Sequence, residues 1–195
     1  MHSNRAFFSA QGALLRAALL VFCVTLAALL VIVPAHAQGD ADADGDGLPN
    51  AWEIQYNLNP NNANGIHGAN GDPDRDGLPN GDEYANSTNP RRADTDDDGL
   101  PDLWEVENVV NPLNGAGDHG PNGDADGDGL LNKDEMAQGA DPHNRDSDSD
   151  ILPDGWEVVE GISPKDNRGR HGRNGDADGD GETNIAKFRR FNKYY

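Results

Sequence analysis

Six times along this chain aspartates recur at alternate residues and open a segment of twelve. The segments run from Asp42 to Glu53, Asp72 to Glu83, Asp94 to Glu105, Asp124 to Glu135, Asp146 to Glu157 and Asp176 to Lys187, and they hold 29 of the 35 acidic residues. A generic acidic linker would scatter its charge. The starts are 30, 22, 30, 22 and 30 residues apart, so the repeating unit is a pair of segments with a period of 52. Three units follow, at 42–93, 94–145 and 146–195.

Residues 1–37 stand apart from this pattern. They carry Arg5 and Arg16, no acidic residue, and a run without charge from Ala17 to Val33 that leads to Ala35-His36-Ala37. Basic start, apolar middle and small-x-small end define a secretory signal peptide cut after Ala37. An uncut anchor is the alternative, at the short edge of a membrane span. With cleavage the product is secreted, periplasmic or at the cell surface. Cys23 has no small residues before it in Leu20-Val21-Phe22, which argues against lipidation.

From Gln38 onward there is no cysteine, so no disulfide framework can hold the chain. Leu, Ile, Val and Phe supply 21 of those 158 residues and the formal charge is −22. Such a chain repels itself and buries too little apolar surface to offset the entropy of folding. The charge sign excludes nucleic acid and an anionic membrane surface as partners. Cations are the natural partner.

The spacing of the carboxylates shows how a cation is held. Asp42, Asp44 and Asp46 occupy positions 1, 3 and 5, Asn50 position 9 and Glu53 position 12, while the backbone carbonyl of Leu48 at position 7 supplies another oxygen. Alternate residues of a tight loop converge on one point, and the glycine at position 6 turns the chain around it. So many oxygens suit calcium better than magnesium, which keeps its waters.

The same frame holds Asp72, Asp74, Asp76, Leu78, Asn80 and Glu83; then Asp94, Asp96, Asp98, Leu100, Asp102 and Glu105; then Asp124, Asp126, Asp128, Leu130, Asn132 and Glu135. Two copies depart from it. The fifth has Asp146, Asp148, Asp150, Asp154 and Glu157 but puts Ile151 where the glycine belongs, and positive φ is unfavourable for a β-branched residue. A distorted or weaker site is expected there. The sixth keeps Asp176, Asp178, Asp180 and Asn184 but ends on Lys187, which removes the closing carboxylate and should leave the weakest site.

The expected fold is a mostly irregular, metal-organised array of loops with short helical turns and little or no sheet. Helical stretches are expected just after the first loop of each unit, at Trp52, Trp104 and Trp156, and those tryptophans should pack on the neighbouring loop with the position-7 leucines. Gly, Pro and Asn punctuate the spacers as turns. His67, His119 and His171 recur in His-Gly turns without a nucleophile or second histidine nearby, which makes loop residues of them and no enzyme of the chain.

At Asp94-Thr-Asp-Asp-Asp-Gly-Leu-Pro-Asp-Leu-Trp-Glu105 and its sister loops the chain resembles the bacterial thrombospondin type 3 repeat family over residues 40 to 187. The resemblance implies an irregular chain wound around calcium ions, acting as a spacer or adhesive stalk at the cell surface; a monomer that meets a surface or matrix protein is expected. A dockerin-like docking module, which also duplicates calcium loops, is the rival. It needs an amphipathic helix after each loop, and Asn86, Pro90 and Gly139 fall where such helices would run.

Overall fold

The structure is a computed structural model that describes residues 41–192. The signal peptide expected at 1–37 lies outside the described residues. Among the described residues six short helices succeed one another: α1 (Asn50–Gln55), α2 (Asn80–Asn86), α3 (Asp102–Glu107), α4 (Asn132–Gln138), α5 (Asp154–Val159) and α6 (Asn184–Asn192). Single 3-10 turns at Gly65–His67 and Gly117–His119 lie in the long spacers. Among the described residues there is no strand, and no helix is long and apolar enough to cross a membrane. The array of loops and short helical turns is therefore as expected.

Every helix begins at position 9 of a loop, so the loop dictates the helix. The residue before it is extended: Pro49, Pro79, Pro101 and Pro153 sit at φ between −69 and −66°. Proline holds the chain in that shape, and its carbonyl accepts the position-12 N–H, for example Glu53 to Pro49 at 3.1 Å. Each loop is also pinned at its mouth. The position-9 N–H donates to the carbonyl just before position 1 in all six loops, at 2.7–3.0 Å.

Helix ends repeat as faithfully. After α1 to α5 one residue enters the left-handed region, namely Asn57, Ser87, Val109, Gly139 and Gly161. The next residue, Leu58, Thr88, Val110, Ala140 or Ile162, donates its N–H to the carbonyl of the position-12 glutamate at 2.7–3.0 Å and is buried. This is the Schellman closure, which satisfies orphan carbonyls and brings a residue, apolar in every case but Thr88, back under the helix. It fixes the backbone of each glutamate from both sides.

These ends correct one expectation. Helices follow the second loop of each unit as well as the first, because Ser87 after Asn86 and Gly139 act as left-handed caps that finish a helix instead of preventing one. A helix of six or seven residues fits before them.

The apolar residues form small clusters beside the loops. Leu48, Trp52 and Leu58 pack with Tyr56, Ala69 and Tyr84, and Leu152, Ile162 and Ile185 pack with Trp156, Ala177 and Phe188. In each, a tryptophan of the first loop meets an aromatic from the second loop edge to face, Trp52 on Tyr84 and Trp156 on Phe188, both with centroids 5.5 Å apart. The position-7 leucines 48, 78, 100, 130 and 152 are all buried.

Candidate metal centre

The first aspartate of each loop builds the turn. Asp42 accepts the N–H of Gly45 at 2.7 Å and of Gly47 at 3.0 Å, and Asp72, Asp94, Asp124, Asp146 and Asp176 accept the matching position-6 amide in theirs. Position 5 adds a second clasp, with Asp46 accepting from Leu48 and the same bond at Asp76, Asp98, Asp128 and Asp150. The result brings positions 1, 3 and 5 together. In loops one to five a carboxylate oxygen from each of the three lies within 4.8 Å of the others.

Position 12 feels the negative charge of these same aspartates in loops one to five. Glu53, Glu83, Glu105, Glu135 and Glu157 are at most 1% exposed, yet neither oxygen of any of them has a hydrogen-bond partner. Asp44, Asp74, Asp96, Asp126 and Asp148 at position 3 also leave buried oxygens without partners. A buried carboxylate without a partner is strongly unfavourable. Five loops repeat that arrangement, and an oxygen-seeking cation is what satisfies it; the donors present fit calcium.

Proton affinities record the same strain. Burial first, then the neighbouring aspartates, push Glu53 up to about 7, Glu105 and Glu135 to about 8, and Glu83 and Glu157 to about 9. Burial likewise raises Asp74, Asp126 and Asp148 to about 6. Each loop holds more negative charge than its surroundings can solvate.

Position 9 behaves differently from the expectation that it is a ligand. Asn50 Oδ1 accepts the N–H of Ala43 at 2.9 Å, Asp102 accepts both the N–H and hydroxyl of Thr95, and Asp154 accepts the same pair from Ser147. Asn184 accepts from Ala177, and Asn80, Asn132 and Asn184 donate Nδ2 to spacer carbonyls such as Gly68, Gly120 and Gly172. Helix geometry turns this side chain back across the loop, where it staples position 2 and the preceding spacer. The Oδ1 atoms of Asn80 and Asn132 stay buried without a partner, and in loop two position 2 is Pro73, which has no N–H to give.

Loop five keeps its shape despite Ile151. That residue takes φ 87°, beside the 90–102° of Gly47, Gly77, Gly99, Gly129 and Gly181, and Asp146, Asp148 and Asp150 still converge. The geometry is retained and the penalty is stored as backbone strain. Ile151 is 53% exposed, so little packing is lost on removing it. Ile151→Gly is expected to stabilise the calcium-loaded protein by about 1 kcal/mol, seen as a higher thermal midpoint in saturating calcium. A lower midpoint would refute the strain.

His171 Nδ1 accepts the N–H of Ser163 at 2.9 Å, His119 is exposed, and His67 Nδ1 is buried without a partner.

Loop, helix and closing turn thus form one oxygen-donor module repeated in tandem, which defines a calcium-binding repeat protein. The family model of the Bacterial TSP3 repeat matches residues 42–63 and 124–144, so these two stretches are similar to bacterial TSP3 repeats. The first stretch covers a first loop with α1 and the second covers a second loop with α4, which makes both kinds of loop copies of one module. No curated protein and no solved structure matches the chain.

Proposed function

We propose that the chain is an exported spacer or adhesive module, set at the cell surface or outside the cell, that calcium folds and stiffens. The observation that carries this is the set of five position-12 glutamates, sealed from water with both oxygens free of partners. Bound calcium supplies the positive charge that such oxygens lack. The aspartates at positions 1, 3 and 5 gather around the same point. The glutamate closes the loop from a helix whose two ends are fixed by hydrogen bonds.

The helices favour a spacer over a docking module. They have six to nine residues, and Leu48, Trp52 and Leu58 in unit one and Leu152, Trp156, Ile162 and Ile185 in unit three pack within their own unit. Affinity is expected in the extracellular range of about 10⁻⁴ to 10⁻³ M. Calcium titration with isothermal calorimetry tests it, beside sequencing of the exported product, which should begin at Gln38. No heat of binding up to about 10 mM calcium, ten times that range, would refute the proposal.

A further inference from the structure

Loop six is built like the others but closed differently. The amides of Gly179 and Gly181 reach Asp176, and the Asn184 side chain spans the loop, so the backbone frame is intact. At position 12 stands Lys187. Its Nζ donates to Asp178 Oδ2 at 2.8 Å and to Glu160 Oε2, and only 17% of the side chain is exposed. Asp178 is the position-3 carboxylate, the residue that leaves buried oxygens unpartnered in every other loop. In loop six Asp178 and Asp180 are exposed, and none of its carboxylates leaves a buried oxygen without a partner.

We propose that Lys187 is a resident cation, its ammonium doing for loop six what calcium does for loops one to five. The last loop then closes without metal and the array binds five ions, not six. Glu160 caps α5, so the same ammonium also clips loop six to the helix of loop five. With Trp156, Ile185 and Phe188 packed beside it, this end of the array needs the least calcium to hold its shape.

This inference rests on the calcium reading, and a count of ions separates the two. Equilibrium dialysis of the full chain in saturating calcium should give five ions per chain, and Lys187→Glu should give six. A count of six for the unaltered chain overturns the resident cation, as does a folded Lys187→Glu protein that stays at five. If that variant does not fold, Lys187→Gln decides together with the count for the unaltered chain: it should stay at five ions and lower the thermal midpoint in calcium. An unchanged midpoint counts against the proposal. A count near zero would sink calcium binding itself.

Residues 52 apart are not equivalent in the three units. The left-handed residue after the first helix is Asn57 in unit one and Gly161 in unit three, but Val109 in the middle, where φ 58° strains a β-branched side chain. Asp46 is tethered to the N–H of Ala69 and Asp150 to that of Arg173, but the matching residue in the middle unit is Pro121, which has no N–H, and Asp98 Oδ2 is left without a partner. Where Tyr84 and Phe188 meet the tryptophans, the middle unit has Met136. Residues 113–119 of its spacer are all exposed.

We infer that the middle unit is the compliant joint of the array. At sub-saturating calcium, hydrogen exchange should show amides of 106–123 protected roughly tenfold less than those of 54–71 and 158–175. Pro121→Ala should raise that protection severalfold, and Ala69→Pro should lower protection in unit one. Equal protection in the three units overturns the inference, and so does protection that ignores both substitutions.

Discussion

Stripped of calcium at neutral pH, the chain from Gln38 onward is expected to lose the six helices of the described residues together and to expand toward the radius of gyration of about 40 Å of an unfolded chain of 158 residues. Nothing in the apolar residues can hold it. The buried side chains form clusters of three around Leu48 and around Leu152, and the helices are of six to nine residues. Isolated helices below about 12 residues are marginal even in favourable sequences. Against them stand −22 charges from Gln38 onward and five buried glutamates without partners.

Metal binding and folding are then one event, and five ions supply roughly half of the opposing charge. Circular dichroism and small-angle scattering with calcium and with chelator give the readout. Magnesium should restore much less, because it keeps its waters and does not fill a cage of this many protein oxygens. Unchanged spectra and radius in chelator would overturn the account, and so would full rescue by magnesium.

What is local was legible: carboxylates two residues apart converge by chain geometry, so the meeting of positions 1, 3 and 5 could be read without a fold, as could the burial of the position-7 leucines. Helices after the second loops were hidden because Asn86 and Gly139 look like breakers, and only backbone angles show that Ser87 and Gly139 are caps. Position 9 was hidden for another reason. An amide or carboxylate there is a plausible ligand by spacing alone, but its partners, Ala43, Thr95 and Ser147, lie back across the loop and the sequence does not say which way the side chain turns. The tethers from Asp46 and Asp150 to spacer amides span 23 residues and have no local signature.

Acid should help the calcium-free chain fold, the reverse of ordinary acid denaturation. For the folded, metal-free form, burial raises the five position-12 glutamates to between about 7 and about 9, above an ordinary value of 4.5. Between those limits the folded form binds more protons than the unfolded one, so its stability falls as pH rises. The stabilisation is complete below about 4.5 and is lost as pH climbs through 7 to 9. Asp74, Asp126 and Asp148, raised to about 6, act in the same sense. Asp42, Asp166 and Asp178 are shifted down and act oppositely, but they are open to solvent and contribute little. With calcium present the slope reverses, because protons now compete for the oxygens that hold the ion. Helix content of calcium-stripped protein should therefore rise from pH 8 to pH 5 while thermal stability of the calcium-loaded protein falls over the same range. Two slopes of the same sign would show that the glutamates are not the groups at which proton and calcium exchange.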